Sequence, residues 1–384
     1  MNGSKVVGYW LGCLVLLSHL TQGQTEPAAD AVRELTLRPA VSGLGIFDPS
    51  LAEAPQGERV WMSYSAVDSP SGQSTSAPVR EVTTRLAYSD DRGGSWSDSG
   101  PANGIEQINY YNRPAAWINE TSSLIHDESA PLTERWKLFW HHYLRIGERG
   151  HFQDGWIGYK VAATPQDLPQ AREIKLFSGM AYNHDDDEIA SSAHSPLAGA
   201  PAIALNQLNR ELSSCAALTE PGGVATSSGI YLSLVCEKPD LLGLAGAHPE
   251  VILMKCAAPC RAAAPGAWTY ISTLFRKGFS APALFSQDGR TYLLITPISN
   301  EPWQDAYHGC NLYRFANLNA GTLEKDARGV PQLMGHFEGA PHSFNGACAF
   351  SASAPGAGLV LSQLKVIDGA PTFHIVLKVR DARQ

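Results

Sequence analysis

Charge is scarce in this chain. Only 17% of its 384 residues are Asp, Glu, Lys or Arg, and no basic cluster offsets a formal net charge of -8. That balance excludes nucleic acid and anionic membrane surfaces as partners. Long apolar runs are missing too, and the one candidate, Val6 to Leu17, is too short and too interrupted to span a bilayer. No segment repeats its apolar residues with the period of an amphipathic helix. A Gly-rich phosphate loop and a Gly-x-Ser-x-Gly elbow are both absent, which removes the usual signatures of nucleotide chemistry and of serine hydrolases. What remains is 44% hydrophobic residues with 35 Gly and 25 Pro, enough for a real core and rich in turns. This is the composition of an all-β protein.

The N-terminus reads as an export signal. Lys5 precedes the apolar run, and Thr21-Gln22-Gly23 provides small or polar residues before a cut near Gln24. Residues 1–23 are thus a signal peptide, 24–384 one folded domain, and the protein is secreted or periplasmic, with no membrane insertion after cleavage. Setting Cys13 aside leaves Cys215, Cys236, Cys256, Cys260, Cys310 and Cys348. An even count in an exported chain predicts disulfides, with Cys256–Cys260, Cys215–Cys236 and Cys310–Cys348 as the expected pairs. Cys256-Ala-Ala-Pro-Cys260 has the alternative of a metal knuckle, but its spacing is loose and no matching pair accompanies it.

Five segments share one plan: a short strand of small residues, a turn, then an apolar alternating strand. The first strands begin at Phe47, Trp117, Ser213, Phe279 and Phe344, and the second at Arg59, Trp136, Gly229, Arg290 and Gly358. Small residues suit the innermost strand of a propeller blade, where sheets converge on an axis. The fifth unit lacks a fourth strand, while Glu34 to Arg38 is an orphan strand ahead of the first. The prediction is a single five-bladed β-propeller closed by that N-terminal strand pairing with Phe373 to Val379. Ala181 to Leu208 reads as an insertion. Its run Asp185 to Glu188 raises Ca²⁺ as a ligand, but without regular loop spacing it reads better as a solvated acidic stretch, and no cofactor is expected.

Ser89-Asp90-Asp91-Arg92-Gly93-Gly94-Ser95-Trp96 resembles the Asp box of sialidases and related propellers, a turn between the outer two strands of a blade. Phe47-Asp48-Pro49-Ser50, with the five-unit plan, resembles the first-blade motif of the five-bladed propeller glycosidases, the arabinanase and fructosidase-like group. That resemblance implies a glycoside hydrolase of a plant or microbial glycan with its site at one mouth of the axial channel. Asp48 would act there as base or nucleophile. Glu120, at the start of the second inner strand, is the expected partner, since such hydrolysis needs two carboxylates. Ser213, Ser280 and Asn345 occupy the corresponding places in the other units. Glu220-Pro221-Gly222 is placed after its strand, on a turn. Of the paired histidines on opposite strand faces, His142 is expected at the mouth beside His151. Trp303 and Tyr307 are expected as stacking platforms for sugar rings. A sialidase-like enzyme and a non-catalytic glycan-binding propeller are the competing readings. Asn119-Glu120-Thr121 also matches a glycosylation acceptor.

Overall fold

In the computed structural model the described residues are 32–41, 45–54, 59–68, 81–110, 112–146, 151–178, 182–183, 188–189, 201–215, 217–238, 248–299, 306–339, 344–351, 358–367 and 370–378. Residues 1–23, Asp185 to Asp187 and Trp303 lie outside them. The strands form five antiparallel blades. Blade 1 contains Gly45–Glu53, Val60–Asp68, Glu81–Ser89 and Trp96–Pro101, from axis to rim. Blade 2 contains Arg113–His126, Trp136–Ile146, His151–Ala162 and Ile174–Ser178. Blade 3 contains Ala217–Thr226, Gly229–Lys238, His248–Ala257 and Trp268–Phe275. Blade 4 contains Phe279–Gln287, Arg290–Pro297 and Cys310–Asn317, and shares its rim between Thr322–Leu323 and Gly335–Phe337. Blade 5 contains Asn345–Phe350, Leu359–Ile367 and Ala370–Lys378. Among the described residues no helix is long and apolar enough to cross a membrane.

Val32–Glu34 completes blade 5, pairing with Val376 to Lys378, and the Leu35 amide extends the ladder to the Ile375 carbonyl. The closing strand therefore begins earlier than expected. Leu37–Arg38 leaves it and lies parallel to Trp96–Ser97 on the rim of blade 1. One short segment thus occupies the open edges of two blades, where unpaired strand would otherwise be exposed.

Each pair of neighbouring blades encloses its own apolar layer. Trp61 and Leu86 meet Leu138 and Trp140 between blades 1 and 2, and Phe139 and Ile157 meet Ile230 and Leu232 between 2 and 3. Tyr231 and Leu253 meet Leu284 and Leu293 between 3 and 4. Leu294 meets Leu361 between 4 and 5, and Val360 meets Met62 where the ring closes. Near the axis there is no room for such bulk. A Cβ on Gly222 would lie 2.0 Å from the Pro282 carbonyl oxygen of blade 4.

The turn from Ser89 to Trp96 joins the outer two strands of blade 1. Asp91 accepts from the Ser95 amide at 2.8 Å, the Ser95 hydroxyl at 2.7 Å and the Ser89 hydroxyl at 2.7 Å. Those donors, the Ser95 amide first, hold its carboxyl down at about 2. Trp96 then turns into the layer between blades 1 and 5 and is fully buried. The disulfides are Cys215–Cys236, Cys256–Cys260 and Cys310–Cys348, the last tying blade 4 to blade 5.

Candidate active site on the innermost strands

Every innermost strand is broken at one equivalent place by a β-bulge. The ladder skips between Phe47 and Ser50, Glu120 and Ser122, Thr219 and Gly222, Ser280 and Ala283, and Gly346 and Ala349. Each break puts one non-glycine residue in the left-handed region: Asp48, Thr121, Glu220, Ala281 and Ala347, with φ of 50°, 46°, 53°, 45° and 50°. Such a backbone is costly for these residues and needs support from around it. The support is a ring of bonds between blades. The bulge amide of Asp48 donates to Ser362 Oγ of blade 5 at 2.8 Å. Thr121 donates to Ser65 Oγ of blade 1 at 2.9 Å, and Ala347 to Thr296 Oγ1 of blade 4 at 2.9 Å.

Two bulge residues, Asp48 and Glu220, carry carboxylates, and Glu120 stands one residue before the bulge of the blade between them. Burial, then the fields of Glu120 and Glu220, push the Asp48 carboxyl well above the ordinary carboxylate range. Hydrogen bonds from Thr121 Oγ1, at 3.0 Å, and from Ser65 oppose that rise. Burial pushes Glu120 up to about 7, against the Tyr143 hydroxyl that donates to it and the nearby charge of Arg145. Glu220 is raised by burial, against donors from Ser280 Oγ at 2.5 Å and the Ala281 amide at 2.6 Å, both to Oε2. A fourth carboxylate, Glu237 on the second strand of blade 3, is pushed up to about 7 by burial and by the field of Glu220. Burial and the mutual fields of these carboxylates act in one direction, so the cluster gives up its protons at higher pH than free carboxylates do.

Glu220 does not lie on a turn after its strand, as its sequence context suggests. Blade 3's inner strand begins at Ala217, whereas Arg210–Ser214 is a turn of 3-10 helix with Ser213 exposed on it. The matching residue is Glu220, inside the strand and not on a turn after it. Asp48-Pro49, Glu220-Pro221 and Ala281-Pro282 are the same bulge in three blades, and that repeat was the signal that could have found it.

Tyr307 does reach the cluster. Its ring is near enough to feel Glu220 and Asp48, its hydroxyl bonds Ser280, and burial raises it. It begins an aromatic arc: Tyr307 to Phe344 at 4.3 Å, Phe344 to Phe373 at 5.7 Å, and Phe373 to Phe47 at 4.8 Å, ending beside Asp48. No local sequence pattern brings Phe344, Phe373 and Phe47 together with Tyr307; the ring of blades does. Asn345 is buried and holds the loop: its amide donates to the Tyr307 carbonyl, and its side chain accepts from Gly339 at 3.1 Å. His142 packs between Trp117 and Trp156, at 5.2 and 4.3 Å, with Nδ1 at 2.5 Å from Asn119 Oδ1, and burial drops it to about 3. It is His141 that pairs across the ladder with Glu120 and stacks on Tyr143. The His151 backbone pairs with Ile146, and its side chain is outside the described residues. Asn119 is fully buried, so the acceptor motif is inaccessible to glycosylation. Among the described residues no group of three or more His, Cys, Asp and Glu is arranged to hold a metal.

No family model matches this sequence, and no curated protein does. Solved structures do match its fold. A family 117 glycoside hydrolase of the marine bacterium Zobellia galactanivorans is 11% identical over 90% of this chain and 89% of that one, with a TM-score of 0.51. A family 43 endo-arabinanase from Bacillus licheniformis is 15% identical over 87% and 94%, with a TM-score of 0.46. A family 32 β-fructofuranosidase from Bombyx mori is 11% identical over 89% and 64%, also with a TM-score of 0.46. The chain is similar in fold to β-propeller glycoside hydrolases.

Proposed function

We propose that this protein is an exported glycoside hydrolase whose reacting carboxylates are Asp48 and Glu220, with Glu120 setting the field between them. One observation carries the reading: two carboxylates on equivalent left-handed bulges, two blades apart, so that they address one axial space from different sides. Glycoside hydrolysis needs such a pair, one group to deliver a proton to the leaving oxygen and one to activate water or attack the sugar. Asp48 takes the base or nucleophile role, in keeping with the resemblance of its motif, and Glu220 donates the proton. Burial raises Glu220 toward the protonated form that a proton donor needs. The arc from Tyr307 to Phe47 offers apolar ring faces to a sugar. Three disulfides in the fold favour a secreted or periplasmic location. The sialidase alternative is weaker, because what shapes the titration of Asp48, Glu120 and Glu220 is burial and their mutual fields, with Arg145 opposing the rise at Glu120.

The test is a panel of aryl furanosides and pyranosides with leaving groups of graded acidity. Glu220→Gln should lose most activity on poor leaving groups and keep it on dinitrophenyl glycosides, which depart without protonation. Asp48→Asn should fail on both. If the leaving-group rescue appears with Asp48→Asn instead, the two roles are exchanged. Absence of any cleavage, with glycan binding retained, would make this a binding propeller.

A further inference from the structure

The bulge ring is regular in a second way. The residue facing the position before each bulge is Ser65 in blade 1, His141 in blade 2, Val235 in blade 3, Thr296 in blade 4 and Ser362 in blade 5. The three hydroxyls each accept the bulge amide of the next blade around the ring. A buried amide must find an acceptor. Val235, also buried, has none to offer. The amide that falls to it, that of Ala281, donates to Glu220 Oε2 at 2.6 Å instead.

Blade 1 shows the alternative. There the Ser65 hydroxyl accepts from Thr121 and is itself hydrogen-bonded to Asp48. The carboxylate reaches its neighbour's backbone through a hydroxyl. Blade 3 lacks the hydroxyl, but Glu is one methylene longer than Asp, and the contact is direct. The two differences compensate in length.

We propose that Val235 is a positioning residue: by presenting methyls where three other blades present a hydroxyl, it leaves the blade 4 bulge amide to Glu220 and fixes where that carboxylate sits at the channel mouth. The catalytic consequence rests on Glu220 as a reacting carboxylate. The other titratable groups acting around Glu220 are Asp48 on blade 1, Glu120 on blade 2, Glu237 two residues beyond Val235, and Tyr307 on the loop after blade 4's second strand.

Val235→Thr tests this, since it exchanges a methyl for a hydroxyl at nearly constant volume. The hydroxyl should take the Ala281 amide and release Glu220 Oε2. Losing a donor to its charged form moves a carboxyl upward, here by about one pH unit. The measurement is a carboxyl ¹³C NMR titration of the full chain labelled in glutamate, with the Glu220 signal assigned from Glu220→Gln. Val235→Ala is the control. It removes methyls without adding an acceptor, so it should lower the melting temperature and leave the Glu220 titration in place. Val235→Ser repeats the test with a smaller hydroxyl side chain if threonine does not fold. An unmoved Glu220 in the hydroxyl variants, or an equal shift in Val235→Ala, would overturn the proposal. The titration reads positioning whether or not a glycoside is cleaved. A shift without hydrolysis in the parent protein would therefore sink the hydrolase reading alone. In an active enzyme the alkaline limb of kcat/KM should follow the titration upward.

Discussion

Glu237→Gln measures the energetic cost of burying a carboxylate beside Glu220. Glu237 has no assigned part in the chemistry, and its upward shift has two causes, burial and the field of Glu220. The group moves from 4.5 to about 7 on folding. Each unit corresponds to about 1.4 kcal/mol, so the ceiling is about 3 kcal/mol, and partial solvent contact trims it to about 2 kcal/mol. The sign follows from which state holds the proton. The folded state binds it more tightly, so the contribution is fully favourable below 4.5 and is lost as pH rises through 7. Glutamine keeps the shape and cannot ionise. Urea or thermal unfolding of both proteins between pH 4 and 8.5 should therefore give similar stabilities at the acid end. At the alkaline end the variant should be ahead by about 2 kcal/mol, or about 3 °C in Tm for a domain of this size. Glu120 and Glu220 contribute slopes of the same sense to both proteins, and the difference between the two removes most of that. A difference independent of pH would show that Glu237 titrates normally. A variant less stable at pH 8 would mean that a cation stabilises Glu237.

Three further outcomes are expected. Asp48→Asn should abolish hydrolysis while leaving Tm at neutral pH unchanged or raised, because Asn tolerates the left-handed backbone and a like charge is removed; a drop of several degrees would mark Asp48 as a structural acceptor. Deleting the residues up to Glu34 should cause aggregation, seen by light scattering, because it uncovers the blade 5 edge and removes Glu34 from Lys365 and His374; an unchanged monomer would mean that the ring closes without that strand. Replacing Cys310 and Cys348 by Ala should lower stability in denaturant by up to about 4 kcal/mol, as the bridge closes a 38-residue separation between two blades; a cost below about 1 kcal/mol would show that packing alone holds blades 4 and 5 together.

The parts of this architecture legible in the sequence are those written locally. Alternating strands, Gly-rich turns and the small-residue inner segments give five blades, and the Asp91 turn with its trailing Trp96 declares its own hydrogen bonds. The cysteines pair as their places in the blades require. Alternation also separates His141 from His142 correctly. It cannot say which strand face meets the axis, and His142 went into an aromatic stack between Trp117 and Trp156. Glu34 to Arg38 reads as one continuous strand, whereas its second half pairs with blade 1.

Glu220 shows why the site itself was harder to see. Pro after Glu and two glycines beyond read as a turn, and in isolation such a segment would be one. It stays in the strand because support comes from elsewhere: Ser233 Oγ donates to the Gly222 carbonyl, Ser123 Oγ accepts from the Gly223 amide, and Ala281 of the next blade bonds the Glu220 side chain. Ser233 is across the hairpin, but Ser123 and Ala281 are on other blades, 100 and 61 residues away, so no short window along the chain contains the reason for the conformation. The same holds for Asp48, whose amide is held by Ser362 at the far end of the chain. A carboxylate placed this way is only as fixed as the ring of blades around it. That ties the closing contact of Val32–Glu34 with blade 5, far along the chain from Glu220, to the placement of every group in the cluster.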